Sequence, residues 1–457
     1  MAAVRKSSNL LKTLHRSSVG IFRNQQHSVS GDAEYAIEMA CSNIRYGLGV
    51  SKEVGMDFKN MGAKNVCVVT DKNIAKLAPM KDICEALDRE NVKYTVYDET
   101  RVEPTDESFQ HAINFAKAGG FDSFLAVGGG SVIDTCKAAN LYASCPDAEL
   151  LDFVNAPIGK AKPVVDPLKP LIAIPTTAGT GSETTGVAIF DHLPTKAKTG
   201  IANRALRPTL GIVDPLLLQS MPNRVTCYSG FDVLCHALES YTAIPFNQRK
   251  PRPSNPLYRP AYQGSNPISD VWTKQALHVC KLYLRDAVRD PGNLKARSEM
   301  HLASVFAGIG FGNAGVHLCH GMSYPISGLV KSFKSSDYDT DHPLVPHGLS
   351  VVITAPAVFR FCGPACPDRH LEAAAILGAD VTNVKHEDAG NCLADIVTKY
   401  MQDLEVPDGL SALGYSSSDI PALVKGTIPQ ERVTKIAPRP QTEEDLAFML
   451  ESSMKNY

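Results

Sequence analysis

The sequence predicts an α/β region built on a parallel sheet, followed by an all-helical region. Two observations carry that expectation. From residue 42 to residue 214, short apolar runs alternate with helical stretches at the spacing by which a parallel sheet is wound. Beyond about residues 216–222 the β-branched alternation fades, and helical periodicity carries the segments from residue 271 onward. At 457 residues the chain is long enough for two or three domains with cores of their own.

Taken in order, residues 66–70 read as a buried strand, 72–90 as a helix and 94–97 as a second strand. A helix over 107–118 leads to a strand over 123–127, a helix over 132–142 follows, and residues 171–174 form another apolar strand. Right-handed crossovers would gather the carboxyl ends of these strands on one side, where ligands of such sheets bind. Farther on, helices are expected over 271–288, 293–307, 371–377 and 389–404, with a short helical tail from residue 421.

The first thirty residues differ from the rest. No acidic residue precedes Asp32, while Arg5, Lys6, Lys12, Arg16 and Arg23 are basic, serines are frequent, and Leu10, Leu11, Leu14 and Ile21 can form an apolar stripe. Residues 1–31 therefore read as a transit peptide for the mitochondrial matrix, or else as a basic tail. Charged residues are 21% and the net charge is −2, so no field recruits nucleic acid. No apolar run approaches the about 18 residues of a membrane span. The 12 cysteines are scattered without a C-x-x-C pair, which suits free thiols in a reducing compartment. Neither motif nor composition chooses between a monomer and a homo-oligomer.

Two loops lie at expected strand ends. Gly128, Gly129, Gly130 and Ser131 follow one strand and open a helix, where glycines admit a pyrophosphate and the helix terminus supplies N–H donors. Asp134 and Lys137 stand in the first turns of that helix, and Lys137 is expected to reach a phosphate or a ribose hydroxyl. The other reading is a tight strand-to-helix connection. The second loop, residues 175–183, offers Thr176, Thr177, Thr180 and Ser182 beside glycines, a polar cradle for sugar, phosphate or amide groups. Asp71, just after the 66–70 strand, suits a ribose 2′-hydroxyl and would repel a 2′-phosphate, favouring NAD over NADP. It equally suits a helix cap.

A third signal is a metal-ligand set. Asp232 and His236 stand four apart, a spacing that puts both on one face of a helix. His320 and His347 follow, each with a glycine directly behind it. One carboxylate and three imidazoles suit a divalent metal such as iron or zinc, with a position left for a substrate oxygen. By contrast, Gly310-Phe311-Gly312-Asn313-Ala314-Gly315 matches the dinucleotide fingerprint but follows an expected helix, not a strand. Its glycines are expected to serve close helix packing, or a break that brings His320 to the metal.

The Gly-Gly-Gly-Ser loop with Asp134, the Thr-Thr-Ala-Gly-Thr-Gly-Ser-Glu loop, and Asp232, His236, His320 and His347 in that order resemble the iron-containing alcohol dehydrogenase family. The resemblance runs over about residues 42–450. It implies a dinucleotide-binding α/β domain, residues 32–218, and an all-helical metal-binding domain, residues 219–457, with the active site between them, a plan shared with dehydroquinate synthase. Residues 42–47, 55–66, 182–190 and 311–330 carry a narrower likeness within the family. It implies tightly bound NAD and, as substrates, a hydroxy acid and an oxo acid: 4-hydroxybutyrate oxidised to succinic semialdehyde, and 2-oxoglutarate reduced to 2-hydroxyglutarate.

Two departures from the family stand out. Many members carry a histidine four residues after the third ligand, where this chain has Tyr324; a tyrosine donates a hydrogen bond but, with an ordinary pKa of about 10, is a weak base. Residues 244–268 form a proline-rich insertion with Arg249, Lys250, Arg252 and Arg259, read either as a solvated loop or as the source of an arginine for the substrate carboxylate. A dehydroquinate synthase-like lyase would want a Lys and His cluster near His320 or His347, and the sequence has none there. A plain alcohol dehydrogenase releasing NADH is the nearer alternative.

Overall fold

The computed structural model describes residues 31–457. The expected leader therefore lies, but for Gly31, outside the described residues. Strands β1 (Asn43–Tyr46), β2 (Val66–Val69), β3 (Tyr94–Tyr97), β4 (Ser123–Gly128), β5 (Leu171–Pro175) and β8 (Leu210–Val213) form one sheet in the order β1-β8-β5-β4-β2-β3. Every pairing in it is parallel.

The reason these runs are continuously apolar is that both faces of the sheet are covered. Val66, Val68, Leu125, Val127, Ile172 and Ile174 pack on one side against Phe58, Ile83 and Leu87. The alternate residues Cys67, Val69, Phe124, Ala126 and Ala173 pack on the other against Ala112, Ala116, Ile133 and Cys136. Each strand thus spends both halves of its two-residue period on burial.

Some elements differ from expectation. The helix expected over 72–90 begins only at Ala78, after the 3-10 turn Ile74–Lys76, because Asp71 folds its carboxylate back onto the Asn73 and Ile74 N–H groups at 2.8 and 3.0 Å. An antiparallel hairpin, β6 (Val187–His192) with β7 (Ala197–Ala202), stands apart from the parallel sheet. It packs Ala188, Phe190 and Ile201 against Phe109, Leu141 and Tyr142.

The last strand ends at Val213, and the first long helix is Asn223–Thr242. Every residue from Gly230 to Thr242 is buried, which is why this helix lacks an amphipathic pattern and sits at the centre of the helical domain. Pro267–Arg289 and Leu294–Ala314 pack beside it. The tail expected from residue 421 resolves into Ile420–Thr427, Glu431–Thr434 and Glu443–Ser452.

The fingerprint-like segment lies, but for Gly315, at the end of the helix Leu294–Ala314. A Cβ on Gly308 would stand 2.3 Å from Thr184 Oγ1, and one on Gly310 2.4 Å from Thr273 Cγ2. Gly308 and Gly312 face the loop of the sheet domain, while Gly310 faces a neighbouring helix, so these glycines allow close packing on two sides. Gly315 then takes φ 100, and the chain turns by 102° into the helix Leu318–Gly328 that carries His320. Among the described residues, no single helix is long and apolar enough to cross a membrane.

Candidate active site

Four side chains converge where the two domains meet. Asp232 and His236 come from the central helix, His320 from the first turn of Leu318–Gly328, and His347 from the first position of His347–Val352. Asp232 Oδ1 lies 3.6 Å from His236 Nε2, 3.5 Å from His320 Nε2 and 3.6 Å from His347 Nε2. One potential ligand atom from each of the four falls within 4.8 Å of the others.

The donor set fits a divalent metal. Asp232 Oδ1 and His320 Nε2 are buried without any hydrogen-bond partner, an expensive state for polar atoms that a shared cation relieves. Burial raises the Asp232 carboxyl, but the surrounding imidazoles outweigh it and hold the group well below the usual carboxylate range. Burial pushes His236 down to about 3 and lowers His347 as well, keeping both as neutral imidazoles able to ligate. The His347 side chain keeps 25% of its exposure and so marks the open side of the set.

Supporting contacts lock the rings. His236 stacks on Phe311 with centroids 3.9 Å apart, so the phenylalanine of the fingerprint-like segment has a structural task. His320 Nδ1 is bonded to Glu239 Oε2, which leaves Nε2 aimed at the site. Glu239 Oε1 accepts from the N–H groups of His317, Cys319 and His320 at 3.0, 2.8 and 3.3 Å. Burial acts to depress His320, and the Glu239 carboxylate at Nδ1 opposes it, raising the basicity of the imidazole and so strengthening Nε2 as a metal donor. Sequence reasoning passed over Glu239, although it stands one turn beyond His236 on the same helix face.

The two loops form the wall beside this set. The helix Gly130–Ser144 begins directly after β4 with Gly129 as its cap. A Cβ on Gly130 would come within 2.5 Å of Thr180 Cγ2, and one on Gly129 within 3.2 Å of Thr177 Cγ2, so the loops touch through their glycines. The cleft, about 490 Å³, is lined by Asp71, Gly129, Gly130, Ser131, Thr176, Thr177, Thr180 and Ser182. The metal set and Tyr324 line the same cleft. Gly128 lies just behind, at the end of β4.

Asp134 lines the cleft too, its carboxylate accepting from Ser182 Oγ at 2.6 Å and Ile189 N at 2.9 Å. Lys137 does not reach it. The Lys137 ammonium is buried and donates to Ser182 Oγ, Thr185 Oγ1 and Val187 O at 2.7, 3.3 and 2.9 Å, which uses its three protons. It ties helix, loop and hairpin together in place of touching a phosphate.

The insertion arginines are also committed elsewhere. Arg259 forks onto Glu34 at 3.0 and 3.2 Å, Arg252 lies over the Tyr35 ring, and Lys250 pairs with Asp32. The Arg249 carbonyl accepts from Glu34 N. These residues fasten the insertion to the segment 32–38, and none of them lines the cleft. What the insertion does supply there is Tyr262. Two cleft residues had no signal in the sequence: Glu103, at φ 54, and Lys198, whose ammonium is bonded to Glu103 and Asp191.

This two-domain architecture, with two glycine-bearing loops facing one carboxylate and three imidazoles, matches known proteins over most of its length. The family described as iron-containing alcohol dehydrogenase matches residues 41–215, and its carboxyl-terminal family matches residues 261–454. The chain belongs to the iron-containing alcohol dehydrogenase family and is an oxidoreductase. It is 66% identical over 424 residues to the hydroxyacid-oxoacid transhydrogenase, mitochondrial, of Bos taurus, covering 93% of this chain and 91% of that one. The protein of the same name from Xenopus tropicalis is 62% identical over 454 residues, with 98% of each chain covered.

Solved structures agree. A 1,3-propanediol oxidoreductase superposes with a TM-score of 0.79 at 25% identity, over 92% of this chain and 100% of that one. The alcohol dehydrogenase of Oenococcus oeni gives 0.78 at 26% identity, with 92% and 100% covered. A sulfoacetaldehyde reductase from Bifidobacterium kashiwanohense, solved in complex with NAD+, shares the fold at a TM-score of 0.73 and 24% identity, over 92% of this chain and 99% of that one.

Proposed function

We propose that this enzyme acts as a hydroxyacid-oxoacid transhydrogenase, oxidising 4-hydroxybutyrate to succinic semialdehyde and reducing 2-oxoglutarate to 2-hydroxyglutarate in one cleft, with NAD held there throughout. The observation that carries this reading is the meeting of both loops with the four-residue metal set on one cleft, in a chain 62–66% identical to relatives of that name. When bound, NAD accepts and returns a hydride, and a divalent metal, iron or zinc, withdraws electron density from an oxygen.

The residues divide the remaining work. Gly128, Gly129, Gly130 and Ser131 would hold the pyrophosphate at the amino terminus of Gly130–Ser144, where backbone N–H groups and the helix dipole favour an anion. Thr176, Thr177, Thr180 and Ser182 line the cleft and would offer hydroxyls to the sugar and amide. Asp71 caps its own turn with Oδ1, and Oδ2 serves a ribose 2′-hydroxyl while repelling a 2′-phosphate, which favours NAD. Asp232, His236, His320 and His347 hold the metal, with Glu239 fixing the tautomer of His320. Tyr324 supplies a hydroxyl donor to the substrate oxygens. The basic leader and the mitochondrial names of the relatives support a location in the mitochondrial matrix.

The test is product analysis after mixing purified protein with 4-hydroxybutyrate and 2-oxoglutarate, without added cofactor. Succinic semialdehyde and 2-hydroxyglutarate are expected in equal amounts. Deuterium on the hydroxyl-bearing carbon is expected at carbon 2 of the second product, with ping-pong kinetics. A saturable need for added NAD, with NADH accumulating, would instead establish a metal-dependent alcohol dehydrogenase that releases NADH.

A further inference from the structure

Arg432 lies in the short helix Glu431–Thr434, against the helix that carries His320 and Tyr324. Its Nη2 donates to the Tyr324 hydroxyl oxygen at 2.9 Å, and its guanidinium lies 4.9 Å from the centre of the Tyr262 ring. Both tyrosines line the cleft that contains the metal set, and Tyr324 stands one helical turn after His320. A guanidinium has donors and no acceptor. The direction of the bond is therefore fixed: the Tyr324 oxygen accepts from Arg432, and its own proton is left for an acceptor in the cleft.

The charge is as informative as the bond. Arg432 pairs with no carboxylate among the described residues, and its Nη1 is buried without a partner. A half-buried cation lacking a counter-ion costs free energy that an incoming anion offsets. Lys198, which lines the cleft, is already answered by Glu103 and Asp191, and Lys137 behind it commits its protons to Ser182, Thr185 and Val187.

We propose that Arg432, acting through Tyr324, is the carboxylate-recognising element of the cleft, with Arg432 supplying the uncompensated positive charge and Tyr324 the hydrogen bond to the anion. Arg432 is a positioning residue, and Tyr324 is the group that meets the substrate. The assignment rests on the reading that the substrates are hydroxy and oxo acids. An uncharged alcohol of the same length leaves Arg432 without its counter-ion, so the pair selects for acids over alcohols.

The experiment compares 4-hydroxybutyrate with 1,4-butanediol in the holoenzyme, using wild type, Arg432→Gln, Arg432→Lys and Tyr324→Phe. The ratio of kcat/KM for acid over diol is expected to fall about 10- to 100-fold in Arg432→Gln, the range of a hydrogen bond to a charged group, and to do so mainly through KM for the acid. Arg432→Lys, which keeps the charge, is expected to retain part of the preference. Tyr324→Phe keeps the ring and is expected to lower the ratio, so it reads the same contact if the Gln variant does not fold.

A ratio unchanged in both Arg432→Gln and Tyr324→Phe overturns the inference, as does an equal loss on acid and diol in Arg432→Gln. If wild type itself prefers the diol, the hydroxy-acid reading fails. If wild type prefers the acid and the variants keep that preference, only the role of Arg432 fails.

Discussion

Glu239 and His320 are joined across two helices by a single carboxylate, one oxygen bonded to the imidazole Nδ1 and the other to three backbone N–H groups at the start of the helix that bears the histidine. The same group therefore caps the helix and sets the tautomer of a metal ligand. Glu239→Gln keeps the size but not the charge, and is expected to weaken metal retention about 10- to 100-fold while the protein stays folded. His320→Ala, which removes the ligand itself, should lower turnover by orders of magnitude. Metal content after dialysis against a chelator, with activity measured alongside, checks both. Full retention in Glu239→Gln would show that the carboxylate serves only as a cap.

A second outcome concerns the cofactor wall. Gly130→Ala puts a methyl 2.5 Å from Thr180 Cγ2 and forces the two loops apart. Gly129→Asp adds a negative charge where the pyrophosphate is expected, and should abolish both half-reactions together. NADH affinity measured by dihydronicotinamide fluorescence should fall at least about 10-fold in Gly130→Ala, an energy of about 1.4 kcal/mol. Unaltered affinity in both variants would remove this loop from the cofactor site.

Glu183 predicts a pH effect. Burial raises its carboxyl to about 7 from an ordinary 4.5, and Oε1 has no hydrogen-bond partner. Between about pH 4.5 and 7 the folded protein thus holds a proton that the unfolded chain has released. The Glu183 contribution to stability is complete below that window and is lost as pH rises through it. Glu183→Gln cannot ionise, so its Tm relative to wild type should climb between pH 5 and pH 8, by about 2 °C or more. The buried histidines titrate alike in both proteins and cancel in the difference. A difference that stays flat with pH would sink the assignment.

The leader gives a cellular test. Residues 1–31 fused to a reporter should carry it into mitochondria, and Arg16→Glu with Arg23→Glu should prevent entry. A wild-type leader that leaves its reporter in the cytosol would end the targeting claim.

Much of this architecture was legible before any coordinates. Strands such as Val66–Val69 are apolar at every position because helices cover both faces, and Asp232 with His236 shows the one-turn spacing of a shared helix face. The hairpin β6–β7 escaped because its residues alternate only weakly and its burial comes from distant Phe109 and Tyr142. Lys137 misled because its position beside the glycine loop is that of a phosphate ligand, while the hydroxyls that hold it come from residues 182 and 185. Arg432 reaches Tyr324 across 108 positions of sequence, a separation that no local pattern reports. The insertion arginines looked free for the same reason, since their partner Glu34 lies 225 residues before Arg259.

The seam between the domains has a consequence for how substitutions would sort in a comprehensive mutational scan. Gly181, at φ 58, and Gly308 meet backbone to backbone, and a Cβ on Gly181 would lie 2.8 Å from the Gly308 Cα. Any side chain there wedges one domain off the other, so variants at these two glycines should score as scarce protein in every assay. Variants at His236 or His347 should score as plentiful protein without turnover. Reading abundance and activity separately would thus draw the boundary between the parts of this cleft that build it and the parts that use it.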